Sequence, residues 1–337
     1  MRTTHTCRKV GTLMVAAVAL STLAVNREPP HPVWPPRPDE PRIEFVRSMR
    51  GPADIGQKPS LISRVGGWIV GTTRENVDLQ KPCGVAVDES GTVCVTDTAT
   101  RRVSLFDIKR KRWQWFDKFE KTSFACPVAV ARRKGVLYVA DSQLGKVFAL
   151  ANNGKPLWQI ASPLRRPVGL AVTDELLAVV DSQAHQVFVF DLAGRPQFEF
   201  GRRGLAAGEF NFPTHITADR QGHLLVTDSL NCRIQVFDLR GNFVSQFGSN
   251  GDTSGHFGRP KGVAVDTLGH VYVADALFDN FQIFELAGQF LLNVGRTGRG
   301  PGEFGLPGGI AIDGDNHIYI ADAYNHRLQE FRYVGRP

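Results

Sequence analysis

The chain has 337 residues, 42% of them apolar, with 34 Gly and 20 Pro, which suits a globular, turn-rich, all-β protein with a substantial core. The formal charge is +7, but three of the basic residues, Arg2, Arg8 and Lys9, fall in the first 24 positions, where there are no acids. The mild bias left over does not by itself argue for nucleic acid.

In chain order, the first feature is a basic stretch ending at Arg8-Lys9, followed by the apolar run VGTLMVAAVALSTLAV. Thr22 and Ala24 supply the small residues of a secretory cleavage site, so residues 1–24 are expected to be a signal peptide. The alternative is an uncleaved anchor, although the run is short of the roughly 20 residues that span a bilayer. No cysteine follows it to carry a lipid. The chain is therefore expected outside the cytoplasm, in the periplasm or cell envelope. Residues 25–41 are rich in proline (NREPPHPVWPPRPDEP from 26) and are expected to form an extended, semi-rigid spacer rather than strand or helix.

RIEFV (42–46) has the alternation of a single strand, standing alone before a series of repeats. The repeats begin with KPCGVAVD (81–88) and return as CPVAVA (126–131), RPVGLAV (166–172), FPTHITAD (212–219), RPKGVAVD (259–266) and LPGGIAID (306–313). Each is followed by a second phrase closing on an aspartate: Asp97, Asp141, Asp181, Asp228, Asp275 and Asp322. A third phrase comes next, such as RVSLFD or RIQVFD, and a fourth ends the complete units, as in RPQFEFG (195–201). Period-two patterning in short Val-, Ile- and Phe-rich runs marks strands. Four strands in a period of about 45 residues is a propeller blade, and six periods predict a six-bladed ring. The last unit lacks a fourth strand after Phe331. Residues 42–46 are expected to supply it, with Ile43-Glu44-Phe45 matching Phe198-Glu199-Phe200, so that no sheet edge stays open.

DAYNHRLQEF (322–331) and DSLNCRIQVF (228–237), with glycine-rich lead-ins such as VGRTGRGPGEFGLP (294–307), resemble NHL repeats, and the resemblance covers roughly residues 81–331. It implies a six-bladed β-propeller and leaves function open, because one fold carries many functions. The family includes metal-dependent lyases that cleave peptidyl-hydroxyglycine. Their metal-binding histidines follow the proline that opens the inner strand. Here those positions hold Cys83, Val128, Val168, Thr214, Lys261 and Gly308, none of them histidine. The resemblance extends to exported bacterial NHL proteins, often lipoproteins of electron-transfer or sensory systems. It extends also to animal NHL modules that bind RNA on a positive face.

His215 stands where Gly84, Gly169, Gly262 and Gly309 stand in other repeats. It reads either as a gap-filling histidine satisfied by backbone or as a channel-mouth histidine that contacts a ligand. His223, His270 and His317 share one turn position and read as turn residues. The six aspartates read as architecture, each accepting hydrogen bonds from the following turn and, at Asp228 and Asp322, pairing with Arg233 and Arg327. Cys83 and Cys126 flank the opening prolines of adjacent blades, which leaves open whether they bridge. Phosphate-loop, nucleophile-elbow, zinc-protease, dinucleotide and haem-attachment motifs do not occur, and no cofactor or metal is expected.

One segment breaks the repeat. KRKRWQWFDKFEK (109–121) clusters cations and aromatics around the outer strand of blade one. It reads either as solvated turns on a lysine-protected edge or as a docking patch for an anionic surface. In the second reading Lys109, Arg110, Lys111 and Arg112 attract the partner, and Trp113 or Trp115 anchors it. The function expected is a non-catalytic exported scaffold that binds a protein or an anionic envelope component through a propeller face. Nucleic acid is not expected as a partner, and a membrane only through an uncleaved anchor. The alternatives are a metal-dependent lyase- or lactonase-like propeller enzyme and an RNA-binding module.

Overall fold

A proline opens the inner strand of every blade, at Pro82, Pro127, Pro167, Pro213, Pro260 and Pro307. The first residue of a strand is where its missing N–H is tolerated. The computed structural model describes residues 31–57 and 78–335. The segment expected to be a signal peptide, residues 1–24, lies outside the described residues, as does the start of the spacer. From each of the first five prolines the chain makes a four-stranded antiparallel meander, as in Pro167–Val172, Leu176–Asp181, Gln186–Asp191 and Pro196–Phe200 of blade three, and from Pro307 it makes three strands of the sixth sheet. Six such sheets form the ring.

Burial follows position within the blade. The second strand is covered on both faces by neighbouring blades, and Thr92–Asp97 is buried throughout. This is why that phrase is almost continuously apolar. The outer strand alternates, with Phe290, Leu292 and Val294 turned inward and Leu291 exposed. Core clusters therefore lie between blades. One joins Ala171, Val180 and Val187 of blade three to Phe210, Ile216 and Phe237 of the next. At the axis the inner strands meet backbone to backbone. A Cβ at Gly309 would stand 2.6 Å from the Cys83 carbonyl oxygen, and one at Gly84 2.5 Å from that of Val128.

The chain's early strand closes the ring. Ile43–Met49 lies antiparallel to Arg327–Tyr333, pairing Phe45 with Phe331 and Met49 with Leu328. The strand is longer than the RIEFV segment, and its register differs from the expected one. Leu328 corresponds to Val187, the partner of Phe200, so Met49 and not Phe45 takes the place of Phe200. The reason is packing. Met49 is fully buried in the cluster that joins blade six to Val93 and Phe106 of blade one. A bulge between Phe45 and Arg47 brings Arg47 to Glu330, at 2.7 Å.

The spacer is corrected in one place. Val33–Trp34 pairs with Ile43 and Glu44 as a fifth strand of blade six. A two-residue edge strand needs no N–H from the flanking prolines, and the Pro32 carbonyl accepts from the Phe45 N–H at 2.9 Å. Trp34 gains burial against Phe331, with ring centroids 5.8 Å apart.

If the closing strand holds the ring, Phe45→Ala should cost about 3–5 kcal/mol, since it empties a core site in edge-on contact with Phe331. Deleting residues 42–48 should lower the melting temperature further. Thermal unfolding followed by circular dichroism checks both. A deletion variant that melts like the parent would contradict closure by this strand.

Candidate functional site

The closing aspartates are fully committed to the fold. All six are at most 1% exposed. In blade three, one oxygen of Asp181 accepts the N–H groups of Arg165 and Arg166, and the other accepts those of Gln183 and Ala184. The first pair belongs to the loop before the inner strand, so the carboxylate ties lead-in to turn. The turn contacts are those expected from the sequence, and the lead-in contacts come in addition to them. Asp97, Asp141 and Asp275 do the same. In blades four and six, side chains take over the turn. Asp322 accepts from Asn325, from Arg327 at 2.7 Å and from Gln329, while Arg327 also donates to the carbonyls of Gly300 and Glu303. Asp228 has the matching set in Asn231, Arg233 and Gln235.

The axial channel opens differently at its two ends. At the end where the inner strands finish, a cavity of about 900 Å³ is bordered by Asp88, Glu89, Asp174, Asp219, Asp266 and Asp313, facing Arg132, Arg133 and Arg220. Arg132 pairs with Asp88 at 3.2 Å, and Arg133 with Asp174 at 3.0 Å. At the proline end, a cavity of about 350 Å³ collects all six positions that follow the opening prolines. Lys261 is the charged residue among them. Arg166 and Arg259 join it from the lead-in loops, and Ser182, Ser229, Phe212 and Leu230 complete the rim. No acid borders this mouth among the described residues.

His215 lines both cavities and so stands at the waist of the channel. Its Nδ1 accepts a long, 3.4 Å hydrogen bond from the Val263 N–H. Burial pushes its pKa down to about 4, which keeps the ring neutral near pH 7. The structure thus provides the backbone contact of one reading and the channel position of the other. Among the described residues, Cys83, Cys94, Cys126 and Cys232 are free thiols, with no Cys83–Cys126 bridge. Among the described residues, no three His, Cys, Asp or Glu side chains are grouped to hold a metal.

The blade-one run lies at the acidic end, on the turn after the third strand. Lys109, Arg110, Lys111 and Arg112 are exposed, and Arg110 pairs with Asp107 at 3.0 Å. Asp88, Glu89 and Asp107 share a cleft with Arg110, Lys111 and Arg112, so the local field is mixed. The tryptophans do not stand free as anchors. Trp113 is half-buried against the core between blades six and one, and Trp115 is half-buried with the Arg102 guanidinium 4.1 Å above its ring. They share one face of the strand, and that face is the covered one.

The proline end carries exposed apolar groups that sequence reading missed. Leu230, Leu277 and Tyr324 stand two residues after the closing aspartates of blades four to six, at 56%, 61% and 62% exposure. The same position in blades one to three holds Ala99, Gln143 and Gln183. Phe212 and Leu306, each just before an opening proline, are exposed on the same side. The available signal was a comparison of repeats at positions where they differ.

Ring, meander and closing strand define a six-bladed β-propeller. The chain carries NHL repeats: the family described as "NHL repeat" matches residues 210–237, 257–286 and 304–331, which are blades four to six. No curated protein matches the chain by sequence. Among solved structures it resembles a streptogramin B lyase at 13% identity and TM-score 0.58, covering 76% of this chain and 94% of that one. It also resembles virginiamycin B lyase from Staphylococcus aureus at 14% identity and TM-score 0.57, over 76% and 96% of the two chains. Kuenenia stuttgartiensis hydrazine synthase is similar at 12% identity and TM-score 0.56, over 79% and 99%. At these identities the likeness is one of fold.

The turn histidines give the acidic end a pH dependence. The hydrogen bond from His270 to Asp266, at 2.8 Å, raises the histidine's pKa, and Asp313 does the same for His317. The stabilisation is therefore complete below the unfolded value near 6.5 and is lost as pH rises through the raised folded values. Replacing both histidines with Gln should lower the melting temperature more at about pH 5.5 than at about pH 8.5. An equal loss at both would contradict this coupling.

Proposed function

We propose that the protein is an exported, non-catalytic scaffold that holds a protein partner on the proline end of blades four to six. The observation that carries the reading is the exposed set Leu230, Leu277, Tyr324, Phe212 and Leu306, gathered on one end of the ring. Exposed apolar groups clustered on one side mark an interaction surface more than scattered ones do. A ring that is already rigid loses little freedom on binding, which lowers the ordering cost. The closing aspartates are spent on backbone and arginine, which leaves none of those six free for acid–base chemistry. Export is supported by the basic, apolar and small-residue order of residues 1–24.

The test is capture of the partner from the protein's own cell envelope, using the whole chain. The double variant Leu277→Ser, Tyr324→Ser should lose the partner and keep its melting temperature. Reversing Lys109, Arg110, Lys111 and Arg112 to Glu, at the opposite end, should leave capture intact. Loss of the partner in the charge-reversed protein, with capture retained by the double variant, would move the docking surface to blade one and contradict the proposal.

A further inference from the structure

The small mouth at the proline end holds three cations and no acid. Lys261 is half-buried on the inner strand of blade five, and Arg166 and Arg259 lean over it from the lead-in loops of blades three and five. None of the three forms an ion pair among the described residues, whereas at the other mouth Arg132 and Arg133 are paired. Burial, and then the nearby Arg259, hold the Lys261 ammonium below the ordinary lysine range. Within the lining, the Cys83 thiol is a group that could ionise to an anion, and burial pushes its pKa up to about 11, so it stays neutral near pH 7. Three like charges, Lys261 half-buried and Arg166 and Arg259 exposed, thus line one mouth with no carboxylate in its lining. A cleft lined by charge of one sign concentrates the opposite ion.

The rest of the mouth narrows the choice. A volume of about 350 Å³ lies at the low end of the range for small-molecule sites and excludes a folded domain or a duplex. Val128, Val168, Phe212 and Leu230 form an apolar wall beside the cations. Two guanidinium groups suit paired oxygens, which they bind bidentately, and the ammonium suits a further charge between them.

We propose that the proline-end mouth binds a small organic anion bearing at least two oxyanion charges, carboxylate or phosphate, with its oxygens on Lys261, Arg166 and Arg259 and its short carbon skeleton against Val168, Phe212 and Leu230. This goes beyond the scaffold reading and does not depend on it, because the residues tested here and those tested for partner capture are different.

The experiment is calorimetric titration of the whole chain at fixed ionic strength with succinate, inorganic phosphate and pyrophosphate, and with chloride as the monovalent control. At least one polyvalent anion should bind saturably with one-to-one stoichiometry, and chloride should not. Succinate against phosphate distinguishes a carboxylate ligand from a phosphorylated one. Lys261→Gln and Arg259→Gln should each weaken binding tenfold or more, and Lys261→Arg should restore most of it. Arg220→Gln, at the opposite mouth, should leave affinity within twofold. Melting curves of each variant separate lost binding from lost folding. Absence of saturable binding by every polyvalent probe, or unchanged affinity in a folded Lys261→Gln protein, would overturn the proposal.

Discussion

A carboxylate buried at the end of each second strand is what makes one blade follow another. It is desolvated, so each hydrogen bond it accepts is strong, and any N–H left without it would be costly. Its two oxygens face different pieces of chain. One receives the amides that lead into the inner strand, and the other receives the turn into the third strand. The position of the inner strand at the axis is thereby fixed by a residue of the second strand. Blades four and six keep a lead-in amide and replace the turn amides with a buried arginine, glutamine and asparagine. The same arginine reaches on to the carbonyls of the glycine-rich loop and holds that segment against the blade.

This interaction is local to a blade, so the ring still needs closing. The last blade lacks an outer strand from its own end of the chain and takes it from residues before the first repeat. The two ends of the propeller are thus joined by strand pairing, an aromatic contact and a half-buried ion pair between Arg47 and Glu330. Two further residues, Val33 and Trp34, lengthen the seam.

Most of the ring was legible in the sequence because every blade states the same pattern, and repetition separates architecture from accident. The proline, the closing aspartate and the alternating third phrase each recur six times, and the structure uses them alike. Features stated once were harder to read. The register of the closing strand could not come from Ile43-Glu44-Phe45 alone, since Met49 and its burial against blade one decide it. Period-two alternation correctly puts Trp113 and Trp115 on one face. It does not say that blade six and Arg102 cover that face. Lys261 stood in the set of six positions already singled out, yet a search for histidines there passes over a lysine. Its meaning depends on Arg166 and Arg259, nearly 100 residues apart in sequence, which only the ring brings together.

The central claim is that the closing aspartates serve the fold and that recognition lies where blades differ. Asp322→Asn tests it most directly, because the amide keeps the shape and one acceptor while leaving Arg327, 4% exposed, without its counter-charge. Breaking a buried pair in this way should cost about 3–5 kcal/mol in chemical denaturation. The part of the protein that remains folded at low temperature should bind its ligands as the parent does. A variant with the parent's stability and abolished binding would contradict the account, because it would make the aspartate a functional group.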